Sequence, residues 1–139
     1  MYIKLFNGLP QEAHEIRNEV FIVEQGFENE YDSIDDTASH IVMFTDDSLP
    51  VATCRVFWSD EMSSYVLGRL AVLKEYRGRG IGSFVVTEAE NYVRLMGGQI
   101  LMLHSQCRST QFYKELGYEE FGGIEDEEGC PHIWMKKLL

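Results

Sequence analysis

Apolar residues recur along this chain at two spacings, and the switches between them mark out its elements. Residues 2–6 read as a strand, whereas from Gln11 to about Val23 the apolar positions Ala13, Ile16, Val20 and Val23 fall three or four apart, on one face of a helix. Residues 40–45 and 51–58 are strand-like runs joined by Asp46-Asp47-Ser48-Leu49-Pro50, which has turn chemistry, and residues 65–73 add a third strand to this meander. Between Gly80 and Met96, Ile81, Val85, Ala89, Tyr92, Val93 and Met96 form the inner face of a long helix, and Gly97-Gly98 ends it. Residues 100–104 predict a strand, residues 110–116 a short helix, and residues 118–121 and 132–137 a closing pair of strands. Helices and strands mixed in this order predict an α+β domain of three layers, α/β/α.

Composition narrows the picture. The 139 residues, 45% of them hydrophobic and 12% aromatic, suffice for one core and leave no room for a second, so residues 1–139 are expected to form a single domain. No run approaches the roughly eighteen apolar residues of a membrane span. Residues 1–8 lack the apolar core of a signal peptide, and a cytoplasmic location follows as the expectation. Cys54, Cys107 and Cys130 are odd in number and far apart, which suits free thiols in a reducing compartment and argues against a disulfide framework or a zinc site. A net charge of −11 and a pI near 4.7 argue against nucleic acid as a partner, because an acidic surface repels a polyphosphate.

Against that acidic background the basic charge is clustered. Arg69, Lys74, Arg77 and Arg79 fall close together with a single acid, Glu75, among them. They surround the segment Leu70-Ala71-Val72-Leu73-Lys74-Glu75-Tyr76-Arg77-Gly78-Arg79-Gly80-Ile81-Gly82-Ser83, in which an apolar strand runs into a glycine-punctuated turn that opens the long helix. Glycines at alternate positions let the backbone point its N–H groups inward, and the helix behind adds the positive end of its dipole. Such a turn is suited to phosphates. Two familiar phosphate loops do not fit: a G-x-G-x-x-G starting at Gly78 needs glycine at position 83, where Ser83 stands, and a P-loop needs Gly-Lys where the chain has Ser83-Phe84.

From Arg77 to Gly82 the pattern is R-x-x-G-x-G, and here the chain resembles the GCN5-related N-acetyltransferase (GNAT) family, whose acetyl-CoA pyrophosphate site reads Q/R-x-x-G-x-G/A. Upstream, Leu70-Ala71-Val72 is similar to the family's L-x-V strand. Downstream, Gln111-Phe112-Tyr113-Lys114-Glu115-Leu116-Gly117-Tyr118 looks like its F-Y-x-x-L-G-[FY] segment. The stretch from Arg17 to Gln25, with Tyr31-Asp32, Asp35, His40 and Pro131-His132-Ile133-Trp134-Met135, resembles an ElaA/YjcF-like bacterial subgroup whose members commonly have no assigned acceptor.

The resemblance implies the GNAT acyl-CoA acyltransferase fold, with a mixed central sheet splayed between two parallel strands, here residues 65–73 and 100–104. It implies acetyl-CoA as co-substrate and no metal. The pantetheine arm would lie in the splay, held by backbone atoms of Leu70, Ala71 and Val72, with the pyrophosphate on Arg77, Gly78, Arg79, Gly80, Ile81, Gly82 and Ser83 and the arm covered by Phe112. The implied reaction is direct attack of a primary amine on the thioester. It needs a neutral amine, stabilisation of the developing oxyanion and a proton for the leaving thiolate. Tyr113 sits where many family members place a tyrosine near the CoA sulfur, and is either the acid or a packing residue. The N–H near Val72 would polarise the thioester carbonyl. For the general base the family fixes no position, and Glu24, His40 and His132 are candidates, each also readable as a solvated or structural residue.

Between Arg17 and Arg55 there is no basic residue but a run of acids, among them Glu24, Glu28, Glu30, Asp32, Asp35 and Asp36. The loop from 24 to 36 is accordingly expected to rim the acceptor pocket and attract a cationic amine such as a polyamine, an amino sugar or a lysine side chain, unless it is simply solvated. Alternatives to the acetyltransferase reading are a CoA-binding module without catalysis, a transferase for longer acyl chains, and a binder of some other phosphate. A homodimer would fit family habit.

Overall fold

Strands β1 (Tyr2–Asn7), β2 (Ser39–Phe44), β3 (Pro50–Ser59), β4 (Ser64–Val72), β5 (Ile100–Gln106), β6 (Glu119–Glu127) and β7 (Cys130–Leu138) make one sheet in the order β1-β2-β3-β4-β5-β7-β6. The structure is a computed structural model describing residues 1–139. The first four strands form an antiparallel meander, β4 and β5 are parallel, and β7 lies antiparallel between β5 and β6. Helices α1 (Gln11–Arg17), α2 (Ile34–Thr37), α3 (Ile81–Leu95) and α4 (Thr110–Glu115) complete the fold.

Strand β2 shows why three layers form. All its residues are buried, and its alternate side chains enter two different cores. Ile41 and Met43 join the larger core with Val85, Val86, Ala89 and Val93 of α3. Val42 and Phe44 join the smaller one with Ala13 and Ile16 of α1. A strand whose apolar run Ile41–Phe44 points to both faces must be covered on both, and a helix on each face does that.

Three local features set up the site. The parallel pairing of β4 with β5 covers only Tyr65↔Leu101, Val66↔Met102 and Leu67↔Leu103, after which the strands part. Just past that point β4 carries a bulge against β3, where Thr53↔Ala71 shifts to Arg55↔Gly68 and Arg69 adopts a left-handed φ of 53°. The first helix does not run regularly to Val23 as its periodicity predicts. It widens into a π-helix over Asn18–Glu24, and the slower winding brings Phe21 into the core while turning Val23 out to 62% exposure. Met96 likewise lies beyond α3 and is 54% exposed rather than on its inner face. No helix is long and apolar enough to cross a membrane, and the three cysteines are free.

Candidate active site

Where β4 and β5 part, a cavity of about 480 Å³ opens. One wall is Leu67 to Leu70 of β4, the other Leu103 to Gln106 of β5; Phe21, Gln25 and Phe27 overhang it, and His132 and Trp134 of β7 lie along it. Strands that diverge leave backbone N–H and C=O groups without their usual partners, so the cleft can pair with a ligand that carries amides.

The glycine turn stands at the start of α3. Gly78 and Gly80 both have φ of 76°, in the left-handed region that a side chain makes costly. The first backbone hydrogen bond of the helix runs from Phe84 N–H to the carbonyl of Gly80, at 3.1 Å. The six amides from Gly78 to Ser83 therefore donate to nothing within the chain, a cradle for an anion at a helix N-terminus. A Cβ on Gly82 would stand 3.3 Å from Phe112 Cζ and 3.7 Å from Val72 Cγ2, so glycine lets α3 close onto α4 and β4. Ile81 is buried and anchors the helix, while Leu70 reaches the cleft and Ala71 packs beneath it in the smaller core. Arg79 holds its guanidinium over the Tyr76 ring at 5.2 Å, without an acidic partner. Arg77 is committed elsewhere: its Nη atoms donate to Glu24 at 2.8 and 3.0 Å and its Nε to the Val72 carbonyl at 2.9 Å. It ties the end of the π-helix to the end of β4 rather than bringing an unmatched charge to the turn.

Of the candidate acid and bases, Tyr113 and His132 both line the cleft. Tyr113 is buried, packed edge-on against Phe112 and Tyr118, and burial pushes its phenol well above the usual range, so it stays protonated. Glu24 lies apart from the cleft, its carboxylate on Arg77. His40 is fully buried behind the site, with Nε2 3.0 Å from the Asp35 carbonyl; burial lowers its pKa, despite the carbonyl.

Sequence reasoning missed His104, Trp134, Glu127 and Glu128, which share the cleft with His132. Pairings His104↔Trp134 and Gln106↔His132 put both histidines on one face of the sheet, 5.1 Å apart between ring centroids. Glu127 reaches across from β6: its Oε1 is 2.8 Å from His104 Nδ1, and its Oε2 is 3.5 Å from His132 Nε2. The hydrogen bond from His104 holds the Glu127 carboxyl below the usual range, against a smaller opposing effect of burial. An antiparallel pairing of residues 100–106 with 132–138, had it been drawn, would have aligned the two histidines. Glu127 had no such signal, because Glu119–Glu127 is almost wholly exposed and shows no apolar alternation.

The acidic loop before β2 behaves differently from its composition. Arg17 Nε donates to Glu30 at 2.8 Å and its Nη atoms to Asp35 at 2.7 and 3.0 Å. Arg55 reaches Asp32 at 2.6 Å and Asp35 at 2.9 Å, and Arg69 stands 3.1 Å from Glu30. Burial tends to raise the Asp35 carboxyl, but the bonds and charge of Arg17 and Arg55 outweigh it and hold it at about 2. For Glu30 burial wins and the carboxyl is raised. Glu30 and Asp32 do line the cleft, yet arginines match their charge. The carboxylates there with no arginine partner are Glu127 and Glu128, on the β6–β7 hairpin.

A mixed sheet splayed at its parallel pair, with an anion cradle at the open end, is the fold shared with an acyl-CoA N-acyltransferase of Pseudomonas aeruginosa, with a TM-score of 0.85 at 23% identity over 98% of each chain. The chain belongs to the GNAT acetyltransferase family: residues 9–139 match the family described as the acetyltransferase (GNAT) domain. It is 32% identical over 130 residues to the uncharacterized N-acetyltransferase YjcF of Bacillus subtilis, covering 91% of each chain. Escherichia coli ElaA has the same fold, with a TM-score of 0.84, 25% identity and 98% of each chain covered. An aminoglycoside 6'-N-acetyltransferase, solved in complex with coenzyme A, is alike in fold alone, with a TM-score of 0.73 at 17% identity over 99% of this chain and 97% of that one.

Proposed function

We propose that this chain transfers an acetyl group from acetyl-CoA to a small cationic primary amine by direct attack of the amine on the thioester, as one catalytic domain working in the cytoplasm. The observation that carries this reading is the row of six free amides from Gly78 to Ser83 at the open end of a cleft whose lining includes Tyr113. These amides would hold the pyrophosphate, with Arg79 as the nearby unmatched cation. Freed backbone groups of β4 and β5 would pair with the amide-rich arm, and Phe112 would cover it. Bound acetyl-CoA supplies an activated acyl group.

Tyr113, kept protonated by burial, donates its hydrogen to the departing thiolate. The N–H near Val72 is directed to the thioester carbonyl. Glu127 and Glu128 give the acceptor end an excess of negative charge that favours an ammonium, whether on a polyamine, an amino sugar or a lysine side chain. This assigns to the hairpin the attraction that composition suggested for the loop of residues 24–36.

Calorimetric titration with acetyl-CoA, followed by thiol release with spermidine, glucosamine and a lysine peptide, tests the reading. Binding with release confirms transfer, and the fastest amine identifies the acceptor class. Binding without release, for acetyl and longer acyl donors alike, would mean a CoA-binding module, and absence of binding would overturn the assignment of the turn.

A further inference from the structure

We infer that Glu127 and His132 together form the proton acceptor that neutralises the incoming ammonium. The inference rests on the acyl-transfer reading above and adds to it the group that makes the amine nucleophilic.

His132 Nδ1 lies 2.9 Å from the carbonyl of Cys130, an atom that only accepts, so Nδ1 carries the hydrogen. In the neutral ring Nε2 then bears a lone pair. Glu127 Oε1 takes the hydrogen of His104 Nδ1 at 2.8 Å, which fixes the carboxylate and leaves Oε2 as its free oxygen. Oε2 and His132 Nε2 face each other at 3.5 Å, so that with the neutral ring they are two acceptors with no hydrogen between them. Two lone pairs held in this way form a vacant place for one proton, whose arrival turns a repulsion into a charge-assisted hydrogen bond.

The setting supports its use. The His132 side chain is only 7% exposed, so its orientation is held by packing, whereas that of Glu127 is 50% exposed and lies in the cleft where an ammonium would enter. His104 stacks on Trp134 with ring centroids 4.7 Å apart, which holds the imidazole that in turn holds Glu127.

In the step, the ammonium passes one N–H proton to Oε2 of Glu127 and on to Nε2 of His132. The freed lone pair forms the new C–N bond and the C–S bond breaks. The second proton lost from nitrogen goes to the thiolate by way of Tyr113, and the dyad afterwards returns its own to solvent.

An amine that is already neutral at neutral pH has no need of the dyad. The test compares spermidine, glucosamine and a lysine peptide with methoxyamine in the unmutated chain, Glu127→Gln and His132→Asn. Glu127→Gln keeps an acceptor for His104 but aims an NH₂ at His132, filling the vacant place. His132→Asn can keep a hydrogen on Cys130 while removing Nε2. Both variants are expected to lose on the order of 100-fold in kcat with the alkyl amine that the unmutated chain turns over fastest. Methoxyamine turnover should stay within about threefold, and the acetyl-CoA Kd should be unchanged. Equal losses with both kinds of amine, or no loss with the alkyl amine, would overturn the inference while leaving acyl transfer intact. Failure of the unmutated chain to release thiol with any amine would overturn the functional reading and this inference with it.

Discussion

Replacing Asp35 by asparagine removes one charge from the buried cluster behind the cleft at almost constant shape. The carboxylate accepts from Arg17 Nη1 at 2.7 Å, Arg55 Nη1 at 2.9 Å, Arg17 Nη2 at 3.0 Å and the Asp32 N–H at 3.3 Å. Its pKa falls from 3.8 to about 2 because these arginines outweigh the effect of burial. That gap corresponds to about 2–3 kcal/mol in favour of the folded state at neutral pH. The variant also leaves Arg17 and Arg55, each at most 3% exposed, short of a counter-charge, and breaking a buried pair in this way costs about 3–5 kcal/mol. A loss of about 3 kcal/mol is expected, read as a fall of about 1–2 M in the urea midpoint. The sign with pH follows from the depressed folded value. The Asp35 contribution is complete above the unfolded value of 3.8, is lost as pH falls towards 2, and is about half gone near pH 3. Urea melts of both proteins at neutral pH and near pH 3 should thus show the difference shrinking. Coincident midpoints at neutral pH, or a difference that does not shrink in acid, would refute the account of the cluster.

Other substitutions probe other links. Gly80→Asp should abolish acetyl-CoA binding in calorimetry, since a side chain at φ 76° strains the turn and its carboxylate enters the anion cradle. Tyr113→Phe should lower kcat at least tenfold while the acetyl-CoA Kd stays within about twofold; equal loss in both would point to packing. Gly98→Ala should cost about 1–3 kcal/mol in a urea melt, because the added Cβ would meet Val93 Cγ1 and lie 2.8 Å from Tyr65 Cδ2. Turnover of a cationic amine should fall with added salt, and Glu128→Gln should raise its KM and flatten that dependence.

Much of the fold was legible because its signals are local. The apolar run of β2, the helical spacing of Ile81, Val85, Ala89 and Val93, and the glycines from Gly78 to Gly82 each declare themselves within a dozen residues. The parts that were not legible depend on distant partners. Glu30, Asp32 and Asp35 read as a free acidic loop because the arginines that meet them include residues on β3 and β4, and the pairings exist only once the meander has formed. The π-helical stretch changes the winding without changing the composition, so Val23 looked like a core residue. Strand β6 was legible only at its start, residues 118–121; its continuation to Glu127 is polar or glycine apart from Ile124 and gave no strand signal, so Glu127 was missed.

The parallel joint of only three rungs, Tyr65–Leu67 with Leu101–Leu103, also has a mechanical consequence. The sheet is in effect two blades, β1–β4 and β5–β7, on a short spine, with α3 in the same apolar core as Leu67 on one side and Leu101 and Leu103 on the other. A ligand lying in the splay would act as a splint, carrying load between blades that otherwise share little backbone. Hydrogen exchange should therefore slow on binding along Gly68–Val72 and His104–Gln106, on both sides of the gap together, while the outer strands β1 and β6 exchange as before.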